Sequence, residues 1–263
     1  MIWQRFLTAL FGIPLILVVF YLGGIPLLLF SLVIVLMGLS EFFDLMGRMG
    51  FTPVFSPAYL VSIIILLGTY YDLKPYLGFF LWLVVLFFFW YFIVHFPRIA
   101  LQDVGVSLLG VYYVAGLYSY LLWARFHLSE GFTWALLMLL LTWTNDTASF
   151  FIGTKFGRKR LCPRLSPKKS LEGAVGGLCF TIIIAVIFAF FTNAGYGYLA
   201  LLGALAAVLG TMGDLSESAF KRFAQMKDSG TILPGHGGVL DRLDSLLLVA
   251  PLVYYYLQLL KLS

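Results

Sequence analysis

Long apolar runs dominate this chain, and short stretches rich in glycine, proline or charged residues separate them. A helix needs about 20 mostly apolar residues to cross a bilayer, so these breaks divide the chain into membrane spans. Runs such as 81–94 show no alternation of polar and apolar positions, which excludes barrel strands. The pattern predicts an all-α, polytopic integral membrane protein. Its nine predicted spans cover residues 6–23, 25–46, 54–71, 75–95, 104–124, 132–153, 171–192, 196–213 and 240–260.

Composition and charge support this interpretation. Only 11% of the 263 residues are charged, against about a quarter in soluble globular chains. With the N-terminus in the cytoplasm, 14 of the 17 basic residues lie inside, and only Lys74, Arg125 and Lys261 lie outside. Short cytoplasmic loops carry such an excess. The net charge of +5 therefore indicates orientation in a bilayer, and we expect no nucleic acid partner.

The polar residues concentrate in the second half of the chain. We expect residues 1–130 to form N-terminal transmembrane helices, which embed the protein and offer a possible dimer contact. Residues 131–263 are the predicted catalytic region, with cytoplasmic loops 154–170 and 214–239. The polar active site should therefore face the cytoplasm.

Asp146 lies within a predicted span, where an ionisable side chain is costly. Such a residue indicates a function or an interhelical partner. The alternative is a carboxylate at the wet end of the helix, satisfied by Asn145 and Thr147.

Asp241 and Asp244 are three residues apart, so a helix that begins near Val239 would present both on one face. Paired carboxylates suit Mg²⁺, which prefers oxygen ligands and keeps sites open for substrate phosphates. Asp214, at the end of the eighth span, is the third candidate ligand. The alternative for the pair is a favourable interaction with the helix dipole.

Gly235, Gly237 and Gly238 precede this helix and surround His236. Backbone amides at a helix N-terminus can bind phosphate, although glycines would equally make a plain turn. His236 is a candidate base, phosphate donor or cap. The basic loop 155–169 has two interpretations, a topology signal or a clamp for phosphates. Together these features indicate Mg²⁺-dependent phosphoryl or nucleotidyl transfer.

The segment 218–244 resembles the signature of phosphatidate cytidylyltransferases, also called CDP-diacylglycerol synthases. A second segment also matches that family, although Ser170 replaces the usual Thr and Phe150 an often-seen Tyr. Its matching positions are Asp146-Thr147-Ala148, Gly153, Phe156-Gly157, Ser166-Pro167-Lys168-Lys169-Ser170 and Glu172-Gly173. The resemblance implies a homodimer of the bacterial cytoplasmic (inner) membrane. It also implies that CTP and phosphatidic acid react, with Mg²⁺, to give CDP-diacylglycerol and pyrophosphate.

With this reaction in view, we assign expected roles to the polar residues of both segments. The expected catalytic residues are Asp146, Lys168, Lys169, Lys221, Arg222, His236 and Asp241. The expected substrate-binding residues are Ser166, Ser170, Ser218, Lys227, Gly235, Gly237, Gly238 and Arg242. The expected metal ligands are Asp214, Asp241 and Asp244.

Two other functions remain open at this point. A CTP-dependent lipid-alcohol kinase would use similar groups but would release CDP. An ion-coupled transporter would use intramembrane carboxylates, but here the polar residues cluster at one face and the two halves show no repeat.

Overall fold

The computed structural model describes residues 2–192, 194–230 and 237–260, with side chains from residue 10 onward. Two predicted site residues, Gly235 and His236, lie outside the described residues. Helices make up most of the described chain. They are α1 (Ile2–Leu22), α2 (Gly24–Arg48), α3 (Phe55–Tyr70), α4 (Leu77–Val94), α5 (Leu101–Gly110), α6 (Leu117–His127), α7 (Gly131–Phe156), α8 (Leu171–Phe191), α9 (Tyr196–Phe223) and α10 (Leu240–Leu259).

Each predicted span overlaps a helix or a continuous helical stretch. Within the described residues, six stretches are long and apolar enough to cross a membrane, and two shorter apolar helices accompany them. The chain is therefore an all-α, multi-pass membrane protein, and the total of nine spans stays a prediction. The six stretches are Gly24–Arg48, Lys74–Val94, Leu101–His127, Gly131–Phe156, Leu171–Phe191 and Tyr196–Phe223.

The structure differs from the expectation in both polar segments. Helix α9 continues through Phe223 instead of ending at 213, so the start of the expected loop 214–239 is helical. The expected loop 154–170 contains an antiparallel hairpin of β1 (Arg160–Cys162) and β2 (Ser166–Ser170). Polar residues of α9 contact this hairpin and α10, and these contacts favour an ordered helix over a solvated loop.

The helices α7 to α10 form the most closely packed part of the molecule, with α7 against α8, α8 against α9 and α9 against α10. Small residues allow these close approaches, as is common between membrane helices. A Cβ added at Gly203 would lie 2.7 Å from the Ala185 Cβ. Helix α4, in contrast, buries only Val84 and Phe88 among its 18 residues, as expected for a helix solvated by lipid.

One helical stretch contains a locally underwound, wider segment. The stretch Leu101–His127 is continuous through α5 and α6, and between them Val111–Gly116 is a π-helix. Such segments are rare and occur frequently at functional sites. This one places Tyr113 towards the carboxylates described below.

Candidate active site

The two polar segments of the sequence meet at one end of the helices α7 to α10. Lys169 of β2 forms an ion pair with Asp214 of α9. The Arg222 Nε of α9 donates to the Leu165 carbonyl in the hairpin at 3.1 Å. These contacts hold the hairpin against α9, and so bring together residues that lie far apart along the chain.

A group of carboxylates lies where α7, α9 and α10 meet. The Ser245 hydroxyl is 3.2 Å from Asp146 Oδ1 and 3.0 Å from the Gly210 carbonyl, and so links the three helices. Asp146, Asp214 and Asp244 are close enough to interact electrostatically. Asp146 therefore has an interhelical partner in Ser245, rather than being satisfied by its own neighbours.

Tight packing between α9 and α10 positions Asp244. A Cβ added at Gly213 would lie 3.0 Å from the Asp244 carbonyl carbon, so glycine lets the two backbones approach at this point. Asp244 is buried, and its Oδ1 accepts from the Ser245 backbone amide at 2.6 Å. The side chain is therefore held where the three helices meet.

Lys221 of α9 lies between two acidic side chains. Its Nζ is 3.1 Å from Glu217 Oε2 and 2.5 Å from Asp241 Oδ1. The other oxygen of Asp241 accepts from the Gly238 amide at 2.8 Å and from the Ser229 amide at 3.0 Å. Asp241 thus behaves as an acid at a helix N-terminus, which was the alternative interpretation of its position. Metal binding by Asp241 stays a prediction, and it would require these bonds to be exchanged.

Three residues of this region escaped the sequence reasoning. Glu217 is fully buried, and its Oε1 has no hydrogen-bond partner among the described residues. The Tyr113 hydroxyl is also buried without such a partner, and it interacts electrostatically with Glu217 and Asp244. Glu41 of α2 binds the start of α10. Of the three, only Glu217 could have been found from the local sequence, because it precedes Lys221 by four residues, the spacing of a helical ion pair.

The remaining predicted residues occupy more peripheral positions. Ser170 is buried and caps α8, because its Oγ accepts from the Gly173 amide at 3.1 Å. Glycine at 237 suits a left-handed backbone with φ of 86°. The described amides of Gly238, Val239 and Leu240 donate to carboxylates of the protein. The other residues lie exposed or half-buried on the hairpin, on α9, after α9 or on α10, and they are Ser166, Lys168, Ser218, Lys227 and Arg242.

An apolar groove opens beside the carboxylates, between α7 and α8. Its volume is about 440 Å³, and Thr147, the neighbour of Asp146, contributes to its wall. The rest of the wall is mostly apolar, including Trp143, Phe151 and Phe180. The groove therefore lies next to the polar site along α7, and its apolar wall is of the kind that lipid can contact.

The carboxylates do not form a closed metal cage. No group of three or more His, Cys, Asp or Glu side chains converges closely enough to hold a metal within the part of the chain that is described. Mg²⁺ does not require such a cage, because it is usually bound by one or two carboxylates with waters and substrate phosphates. The donor chemistry of Asp146, Asp214 and Asp244 fits that ion.

Comparison with known proteins decides the family. The model of the cytidylyltransferase family matches residues 3–260 of the chain. The chain belongs to this family. The resemblance found in the two motifs is thereby confirmed, and the protein is an enzyme, a nucleotidyltransferase.

Relatives of this cytidylyltransferase match it over most of its length. A phosphatidate cytidylyltransferase from Synechocystis sp. is 33% identical over 290 residues, covering 98% of this chain and 97% of the relative. One from Staphylococcus haemolyticus is 33% identical over 258 residues, covering 95% and 96%. One from Bacillus subtilis is 38% identical over 160 residues, covering 60% of each chain. The similarity to the first two includes the N-terminal helices as well as the motif-bearing region.

Proposed function

We propose that this cytidylyltransferase transfers CMP from CTP to phosphatidic acid, forming CDP-diacylglycerol and pyrophosphate for phospholipid biosynthesis. The observation that carries the proposal is the meeting of the two polar segments, in which the Lys169–Asp214 ion pair joins the hairpin to α9. This contact brings basic residues, suited to phosphates, beside carboxylates suited to a cation. The names of the relatives supply the substrate class.

The chemical step needs little from a general base. A phosphate oxygen of phosphatidic acid is already anionic, and it attacks the α-phosphorus of CTP. A new P–O bond forms as the bond from the α-phosphorus to the bridging oxygen breaks, and pyrophosphate leaves with that electron pair. Catalysis then rests on positioning and on stabilising negative charge.

The basic side chains on the hairpin and at the end of α9 are suited to the phosphates. Lys168 and Lys169 approach from β2, while Lys221 and Arg222 approach from α9. Lys221 is already held by Glu217 and Asp241, so its position is set before substrate binds.

We propose Asp214 and Asp244 as the main Mg²⁺ ligands, with Asp146 beside them. Bound there, Mg²⁺ would neutralise charge on the CTP phosphates. The electrostatic interaction between these carboxylates supports a cation among them. Asp241 is also an expected ligand, but its oxygens already bind Lys221 and the segment before α10, so we assign it a structural role instead.

The lipid substrate can reach this site without leaving the bilayer. The groove between α7 and α8 is mostly apolar, and Thr147 in its wall is the neighbour of Asp146, so an acyl chain can occupy the groove while the phosphate reaches the carboxylates. We further propose a bacterial inner-membrane enzyme that acts at the cytoplasmic face, as the distribution of basic residues predicts. The homodimer implied by the resemblance also stays a prediction.

Purified protein, incubated with CTP, phosphatidic acid and Mg²⁺, should release pyrophosphate and form an equal amount of CDP-diacylglycerol. Omission of Mg²⁺ should stop the reaction, and Asp244→Asn should reduce turnover by about 100-fold or more. Asp44→Asn, which changes an exposed carboxylate of α2, is the control and should be fully active. Release of CDP would instead indicate a kinase, and an inactive but monodisperse wild-type protein would overturn the proposed function.

A further inference from the structure

Glu41 of α2 is a buried carboxylate whose partners lie almost 200 residues further along the chain. Its Oε1 accepts from the Val239 amide at 2.9 Å. Its Oε2 accepts from the Leu240 amide at 2.8 Å and from the Ser229 hydroxyl at 3.1 Å. Glu41 therefore binds both the segment after α9 and the first residues of α10.

The glycines beside these partners leave room for the carboxylate. A Cβ added at Gly230 or at Gly238 would lie 2.7 Å from the Glu41 Cδ, closer than real Cβ contacts. Side chains at either position would push the carboxylate away from the α10 amides. The local sequence is thus compatible with a glutamate from α2 that reaches this point.

The segment that Glu41 holds also holds Asp241. The Ser229 hydroxyl accepts from the Asp241 amide at 3.3 Å, while the Ser229 amide donates to Asp241 Oδ2 at 3.0 Å. Asp241 in turn binds Lys221, and Asp244 follows three residues later on the same helix. A shift of the first turn of α10 would therefore move an acidic and a basic group of the site together.

Several neutral donors stabilise the Glu41 charge. Two are amides at the N-terminus of α10, where the helix dipole also favours a negative group. Glutamine at this position has the same shape, but one of its two ends is an NH₂ group. Whichever way the amide is turned, an N–H donor then faces the amide of Val239 or of Leu240.

We infer that Glu41 is a positioning residue of the active site, which fixes the first turn of α10 and with it Asp241, Lys221 and Asp244. This role rests on the proposed function for its kinetic consequence. A positioning role for Glu41 means that helix α2 contributes to the active site, although the sequence analysis placed no residue of α2 there.

The first test uses hydrogen exchange, which requires no activity. In Glu41→Gln, the amide of Val239 or of Leu240, whichever faces the NH₂ group, should exchange about tenfold faster than in the wild type, because it loses its acceptor. Asp103→Asn is the matched control. Asp103 is also buried, and it accepts from the amides of Thr52 and Ala100, away from α10. Unchanged exchange at α10 in Glu41→Gln would overturn the inference.

The second test is kinetic and distinguishes positioning from loss of folded protein. In Glu41→Gln, kcat/KM for CTP per monodisperse molecule should fall about tenfold, with a rise in KM that a smaller folded fraction cannot produce. Asp103→Asn should keep both constants. Unchanged constants in Glu41→Gln would exclude a positioning role, whereas an inactive wild type would contradict only the proposed function and leave the exchange test decisive.

A milder variant covers the case in which Glu41→Gln does not fold. Ser229→Ala removes one donor to Glu41 and the acceptor of the Asp241 amide, but keeps the two main-chain bonds to Glu41. It should raise exchange at Asp241 and lower kcat/KM for CTP several-fold. Wild-type values for both would overturn the inference.

Discussion

Lys221 neutralises two buried acids, and its removal should destabilise the fold far more than removal of a similar lysine nearby. The exposed fractions of the side chains are 14% for Lys221, 0% for Glu217 and 8% for Asp241. Lys221→Met keeps the length of the side chain but leaves two buried carboxylates without their cation. Breaking a buried pair in this way costs about 3–5 kcal/mol of folding free energy.

Lys169→Met is the matched control, because the carboxylate that it leaves without a cation, Asp214, is more exposed than Glu217 and Asp241. The side chains of Lys169 and Asp214 are 24% and 33% exposed. Such pairs contribute about 0–1 kcal/mol to folding. In thermal unfolding in detergent, Lys221→Met should lower the Tm by about 6–20 °C, and Lys169→Met by less than about 4 °C.

A second substitution checks the cause. If the loss comes from the uncompensated charge, adding Glu217→Gln to Lys221→Met should recover part of the Tm, since one buried carboxylate is removed. Equal Tm shifts for Lys221→Met and Lys169→Met would refute the argument from burial. A double variant no more stable than Lys221→Met would refute the argument from charge.

Two further predictions concern packing and the hairpin. Gly213→Ala should cost about 1–3 kcal/mol of folding free energy in thermal unfolding, because the new Cβ would meet the Asp244 backbone. Gly47→Ala, on the open surface of α2, is the control and should cost nothing. Equal losses of stability in the two variants would contradict this prediction. Glu172 accepts from two backbone amides that follow α7, at 3.0 and 3.2 Å, so Glu172→Gln should speed trypsin cleavage before the hairpin about 2–10-fold. Unchanged cleavage would show that these bonds do not hold the segment.

The positions of the helices could be read from the sequence because lipid imposes a simple rule. Each apolar run long enough to cross a bilayer coincides with a helical stretch in the structure. The rule fails where a helix leaves the lipid. Polar residues from Asp214 to Arg222 were interpreted as a loop, yet they continue α9, because contacts with the hairpin and α10 replace solvent.

The contacts within the site likewise include some that the local sequence could indicate and others that it could not. The Asp241 carboxylate binds a backbone amide at the start of its own helix, and the sequence had already offered this role as the alternative to metal binding. Ser245 reaches Asp146 across 99 residues, and Glu41 reaches Leu240 across 199, so neither pair leaves a local pattern. Tyr113 lies in a π-helical segment, which no pattern in the sequence had indicated. Three-dimensional packing, rather than local sequence, determines these contacts.

The acids around the site differ in how their negative charge is offset, and this bears on where a cation would bind. Asp241 is held by a lysine and two backbone amides, Glu41 by amides and a hydroxyl, and Asp214 by a lysine of the hairpin. Asp146 receives its hydrogen bond from a serine hydroxyl, and Asp244 receives one from a backbone amide. Neutral donors offset a carboxylate charge less than an ammonium does. Asp146 and Asp244 therefore keep more of their negative charge than Asp214 does. This difference favours the proposed arrangement in which a divalent cation, bound by Asp214 and Asp244 with Asp146 beside them, would offset that charge.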